Sequence, residues 1–174
     1  MDWAFFLTLI SKYQRMKGLK LFFIITLITL ADNAFSQSPV LPEFTFYSLD
    51  GIKFTKDNIQ TRTNSIFIFF DVTCGHCQKE TEKLGNSFSK FRNTAFYLIS
   101  MDEVPAIKKF MGSYGKAMMG KKNVTILQDK DRQFIPRFMP TRYPALFIYS
   151  PNGSLIKYFS GEADMKEIIE AATK

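Results

Sequence analysis

From residue 38 onward, short apolar runs alternate with stretches in which apolar side chains recur every three or four positions. Ser38-Pro39-Val40-Leu41-Pro42 is an extended lead-in, because proline disfavours helix at its own position and the one before. FTFYS (44–48) alternates as a half-buried strand and meets a turn at Leu49-Asp50-Gly51. IFIFF (66–70) is apolar throughout, which fits a strand covered on both faces. From Gln78 to Phe91, Leu84, Phe88 and Phe91 fall at helical spacing. AFYLISM (95–101) predicts a second buried strand. Pro105 to Tyr114 predicts a helix with Ile107, Phe110 and Met111 on one face. VTILQD (124–129) predicts a strand, and Lys130 to Phe138 a short helix or irregular turn. ALFIYS (145–150) and SLIKYF (154–159) flank Pro151-Asn152-Gly153 as a hairpin. Gly161 ends it, and Asp164 caps a last helix through Ala172. Gly112 to Lys122, with Met118 and Met119, reads as a loop.

The predicted order is β, β, α, β, α, β, α, β, β, α. Strands alternating with helices imply parallel pairing, and a closing hairpin adds antiparallel strands, so an α/β fold with a mixed sheet is expected.

The first 36 residues read as an address. From Met16, Lys17 and Lys20 form a charged end. Leu21 to Ala31 form an apolar run suited to a secretory signal and too short to span a bilayer. Ala34-Phe35-Ser36 offers small residues where a signal peptidase cuts, leaving Gln37 as the mature start. Residues 1–15 would be an upstream extension. Residues 1–36 are therefore expected to be an extension plus signal peptide, and 37–174 a single exported domain, periplasmic or otherwise outside the cytoplasm. The alternative is an uncleaved membrane tether, since Trp3 to Ile10 adds apolar surface.

Composition changes this picture little. Hydrophobic residues make up 46% of the 174 and charged residues 22%, an ordinary globular mix. The formal charge is +7, but Lys12, Arg15, Lys17 and Lys20 belong to the leader. The remaining basic residues are scattered, the pattern of a solvated face, and no nucleic-acid partner is expected.

The chemistry is concentrated in TCGHCQ (73–78). Cys74 and Cys77 are the only two cysteines, and His76 is the only histidine. A structural zinc site almost always draws four ligands from separated pairs, and no second pair exists. A covalent haem site needs histidine directly after the second cysteine, where Gln78 stands. A structural disulfide closing so small a loop removes little unfolded-state entropy. A redox-active dithiol remains the best reading, in a compartment where disulfides persist. The strand at 66–70 runs into a helix whose first turn carries both sulfurs. Unpaired N–H groups and the positive dipole end there favour a thiolate. Cys74 is expected to be the more exposed and the more readily ionised. Cys77, one turn further in, would resolve the mixed disulfide that Cys74 forms. His76, when protonated, would add positive charge near the Cys74 sulfur.

These residues carry a family resemblance. LPEFTFYSLDG, IFIFF-DVT-CGHC-QKE and RYPALFIYSPNGSLIKYFSG together resemble the thioredoxin superfamily, in its periplasmic TlpA/ResA-like branch of thiol–disulfide oxidoreductases. The likeness covers nearly all of the chain from Leu41 to Ala172. It implies a thioredoxin-like fold, a central mixed sheet flanked by helices, with extra N-terminal strand(s) and a strand–helix insertion. By the resemblance, Pro144 would be a cis-proline facing the active site, and the Tyr143 backbone beside it would pair with an extended substrate. Glu80 matches the acidic position of C-x-x-C-x-x-E and would accept or supply a proton. Thr73 stands where the family usually has tryptophan, Ile68 where thioredoxins carry a buried aspartate, and Tyr143 where a small or β-branched residue is usual. The Gly-His pair resembles that of protein disulfide isomerase, which suggests a couple more oxidising than thioredoxin's.

The resemblance implies an exported enzyme with no cofactor beyond the Cys74–Cys77 disulfide. Its partners would be cysteine-containing exported proteins and, if it works as a reductant, a membrane thiol reductase. The chain is expected to act as a monomer without metal. A thiol peroxidase on the same fold and a non-catalytic binding module using the Tyr143-Pro144 groove are the rival readings.

Overall fold

The computed structural model describes residues 37–174. The leader read in residues 1–36 lies outside the described residues. Seven strands form one sheet in the order β2-β1-β5-β4-β3-β6-β7. They are β1 (Thr45–Ser48), β2 (Lys53–Thr55), β3 (Asn64–Phe69), β4 (Thr94–Ser100), β5 (Val124–Gln128), β6 (Ala145–Tyr149) and β7 (Leu155–Ser160). The helices are α1 (Gly75–Asn86), α2 (Val104–Tyr114), α3 (Phe134–Phe138) and α4 (Met165–Thr173). β3, β4 and β5 pair in parallel through their α1 and α2 crossovers. β6 runs antiparallel to β3, and β7 antiparallel to β6. β1 joins the far side antiparallel to β5. This is the mixed sheet flanked by helices that the sequence led us to expect, with extra strands at its N-terminal edge.

The continuous apolar run of β3 serves two cores, since side chains alternate across the pleat. Ile66 and Ile68 face α1, α2 and α4, meeting Leu84, Ile107, Phe110 and Ile168. Phe67 and Phe69 face the opposite side, where they pack with Phe44, Phe46, Phe134 and Phe138. Much of the phenylalanine content is spent there. Phe134 stacks on Phe69 at 4.2 Å and on Phe138 at 4.1 Å. Ring pairs at such distances add roughly 0.5–1.5 kcal/mol each beyond the area they bury.

Three segments differ from expectation. β2 and the 3-10 turn at Lys56–Asn58 carry no apolar period long enough to announce them. Gly51, at φ 82°, makes the tight turn that folds β2 back on β1. α1 ends at Asn86 rather than at Phe91. The 3-10 turn Phe88–Lys90 re-aims the chain, so Phe88 and Phe91 still pack against Phe96, at 5.2 and 5.1 Å. The loop expected over 112–122 is helical up to Tyr114, and Met118 in it is fully buried. Turn bonds from Met118 N and Met119 N to the Gly115 carbonyl tuck that methionine under the helices.

Candidate active site

The β3–α1 junction is held by two aspartates. Asp71 accepts hydrogen bonds from the Thr73 amide at 2.7 Å and its hydroxyl at 2.6 Å. Asp102, just beyond β4, accepts from the Val72 amide at 3.0 Å and the Ser100 hydroxyl at 2.7 Å. The Cys74 amide donates to the Asp71 carbonyl at 3.2 Å. The loop therefore delivers Cys74 in a fixed pose to the N-cap of α1, with extended backbone angles φ −76° and ψ 113°. Its carbonyl accepts the first helical bond, from Gln78 N at 3.1 Å. No side chain caps this end. The first-turn amides are thus left without a side-chain acceptor from the cap residue.

Cys74 is half-buried and Cys77 fully buried, and both thiols are free. Burial pushes the Cys77 thiol well above its ordinary value. A hydrogen bond with the Asp71 backbone works against this, and proximity to Cys74 adds to it. One sulfur is reachable, and the other is kept protonated beneath it.

Glu80 lies one helical turn beyond Cys77. It is 1% exposed, and neither carboxylate oxygen has a hydrogen-bond partner among the described residues. The Lys83 ammonium stands 3.7 Å from Oε2. Burial raises the carboxyl's pKa, while Lys83 and the Ala163 backbone pull it part of the way back. Glu80 is thus a carboxyl with an elevated proton affinity in the wall behind the buried thiol.

The Tyr143–Pro144 peptide bond is cis. Tyr143 packs on Phe69 with ring centroids 5.0 Å apart. Burial raises its phenol pKa, with smaller contributions from Asp71, Cys77, Asp102 and Cys74, so the ring lies within electrostatic reach of both sulfurs. Beside it a cavity of about 100 Å³ is lined by Phe69, Ile135, Pro140, Thr141, Arg142 and Tyr143. The Pro144 carbonyl accepts from Gly161 N at 2.8 Å, which ties this loop to the β7–α4 connection.

His76 is paired with a carboxylate from the β7–α4 loop. Its ring, 69% exposed, places Nδ1 2.5 Å from Oε1 of Glu162. Glu162 also accepts from Lys83 Nζ at 2.7 Å. Lys83 first, then His76, hold its carboxyl down at about 2. Glu162, Asp71 and Asp102 escaped sequence reasoning. Asp71 adjoins the motif but looks like any loop acid. Glu162 is 86 positions from His76, and nothing local marks it. Among the described residues no group of three or more His, Cys, Asp or Glu side chains is arranged to hold a metal ion.

The chain matches the AhpC/TSA family over residues 39–158. Thiol-disulfide oxidoreductase ResA of Bacillus subtilis (strain 168) is 22% identical over 133 residues, covering 74% of this chain and 70% of ResA. The solved structure of MTB dsbF in mixed oxidised and reduced forms superposes with a TM-score of 0.63 at 24% identity, covering 75% of this chain and 92% of dsbF. Peroxidoxin BcpB of Mycobacterium tuberculosis superposes with a TM-score of 0.64 at 14% identity, covering 78% and 95%. These likenesses show a shared thioredoxin-like fold. The chain belongs to the AhpC/TSA family, as a ResA/TlpA-like member of the thioredoxin superfamily.

Proposed function

We propose that the protein is an exported thiol–disulfide oxidoreductase that reacts through Cys74 and Cys77. The observation that carries this reading is the unequal placement of the two thiols, one half-exposed at a helix N-cap and the other buried a turn below it. As a reductant, the Cys74 thiolate attacks one sulfur of a substrate disulfide. That S–S bond breaks, a mixed disulfide forms, and the departing substrate thiolate takes a proton. Cys77 then gives up its proton, attacks the Cys74 sulfur and expels the second substrate thiolate. The substrate gains two electrons and the Cys74–Cys77 disulfide remains.

Glu80 fits the proton step. Its elevated affinity suits a group that receives the Cys77 proton as that thiol becomes a nucleophile. Tyr143 and Pro144 form the ledge against which an extended substrate would lie, with the adjoining cavity open to one of its side chains. The substrates are cysteine-containing exported proteins, and a membrane thiol reductase would recharge the pair. The working site needs no cofactor. The leader over 1–36 and release of a domain beginning at Gln37 belong to the same proposal.

The Cys77→Ser variant tests it. It should accumulate covalent complexes with disulfide-bearing proteins through Cys74, released by dithiothreitol, whereas Cys74→Ser should not. Absence of such complexes would overturn the reading. A thiol peroxidase is the second reading, favoured by the family match and by the likeness to a peroxidoxin. Peroxide consumption faster than reduction of a disulfide protein would select it.

A further inference from the structure

Three charged groups over the outer face of α1, His76, Glu162 and Lys83, link to the buried Glu80 in one connected chain. His76 Nδ1 is bonded to Glu162 Oε1 at 2.5 Å, Lys83 Nζ to Glu162 Oε2 at 2.7 Å, and Lys83 Nζ approaches Glu80 Oε2 at 3.7 Å. The member that joins them comes from another part of the fold. Gly161, at φ 83°, takes a left-handed turn that other residues adopt only with strain. That turn carries the chain off β7, and Gly161 N is anchored on the Pro144 carbonyl at 2.8 Å. Glu162 is thereby set over α1 from a loop that is also fastened to the cis-proline.

A cation near an attacking cysteine stabilises its thiolate. It therefore stabilises the reduced state and makes the disulfide a stronger oxidant. A histidine between the two cysteines is well placed to act in this way. Here its ring is bonded to an ionised carboxylate. When the ring is protonated, the pair carries no net charge. Lys83 shares the same carboxylate. The charge that the sequence position of His76 offers to Cys74 is thus largely cancelled within the pair.

We propose that Glu162 is a positioning residue that captures His76 and keeps the Cys74–Cys77 couple more reducing than its Gly-His dipeptide alone would make it. This deepens, and rests on, the reading of Cys74–Cys77 as the redox pair. In that role the β7–α4 loop, rather than the dipeptide between the cysteines, sets the working range of the couple.

The test is a double-mutant cycle on the equilibrium with glutathione, using wild type, Glu162→Gln, His76→Ala and the double variant. It is run at pH 6, on the acid side of the ordinary imidazole range. Partly exposed ion pairs of this kind are weak. Glu162→Gln should therefore shift the equilibrium constant about two- to fivefold toward the oxidising side. That corresponds to about 10 to 20 mV, since tenfold in a two-electron couple is about 30 mV. In the His76→Ala background the same substitution should shift it less than about 1.5-fold. His76 is the only histidine, so its imidazole NMR signals need no assignment, and the hydrogen-bonded Nδ1–H signature should vanish in Glu162→Gln. No shift, a shift toward reducing values, or an equal shift with and without His76 would overturn the proposal. A wild-type chain that forms no Cys74–Cys77 disulfide would instead sink the functional reading on which it rests.

Discussion

Replacing Glu80 by glutamine should make the protein more stable and slower. The carboxylate is 1% exposed, and neither oxygen has a hydrogen-bond partner among the described residues. Leaving a buried polar group unsatisfied costs about 1–3 kcal/mol, and more when it is charged. Lys83 at 3.7 Å offsets part of this, although that ammonium is bonded more closely to Glu162. The net cost at neutral pH is therefore about 1–2 kcal/mol. Its sign with pH follows from the raised carboxyl pKa in the fold. The folded state holds the Glu80 proton more tightly than the unfolded chain does. The associated stability is fully present below the unfolded value near 4.3 and is lost as pH rises through the folded value. Glu80→Gln should match wild type near pH 4 and melt about 2 to 8 °C higher near pH 8. If Glu80 takes the Cys77 proton, resolution of the mixed disulfide should slow about 10²-fold. Thermal melts across pH and stopped-flow exchange with a disulfide peptide read both effects. A variant less stable than wild type at pH 8, or stabilised equally at both pH values, would refute the reasoning.

Three further substitutions probe the frame that holds the site. Phe138→Ala removes a fully buried ring stacked at 4.1 Å on Phe134 and should cost about 3–5 kcal/mol in urea unfolding; a loss below about 1 kcal/mol would mean that the cluster collapses to fill the space. Tyr149→Phe deletes a buried hydroxyl with no partner among the described residues and should raise stability by about 1 kcal/mol; a clear loss would reveal a bond that the structure does not show. Asp164 accepts from the Lys166 amide at 2.7 Å at the start of α4, so Asp164→Ala should cost about 1 kcal/mol by the same assay.

What could be read in the sequence was whatever has a period or a short range. Ile66, Ile68, Phe67 and Phe69 announced a strand with two buried faces because every residue of the run is apolar. The β6–β7 hairpin was legible from Pro151-Asn152-Gly153 between apolar runs, and the α4 cap from Asp164. Cys74 at the N-cap and Cys77 inside followed from spacing alone. β2 was not legible, because three residues, Lys53-Phe54-Thr55, carry too little pattern and pair only once Gly51 has turned the chain. Met118 entered the core through backbone turns that hydropathy does not encode. The partner of His76 was beyond reach for a different reason. Glu162 meets it only because β7 lies two places from β3, the strand that leads into α1, and the loop after Gly161 swings over α1. The conspicuous motif thus located the chemistry, while the groups that tune it came from loops distant in sequence.

The central claim is that the two sulfurs have different tasks, set by where α1 begins. Brief alkylation of the reduced, native protein with iodoacetamide, followed by peptide mass mapping, tests it most directly. Label is expected on Cys74 alone, with Cys77 modified only after unfolding. Equal labelling of both sulfurs, or earlier labelling of Cys77, would contradict it.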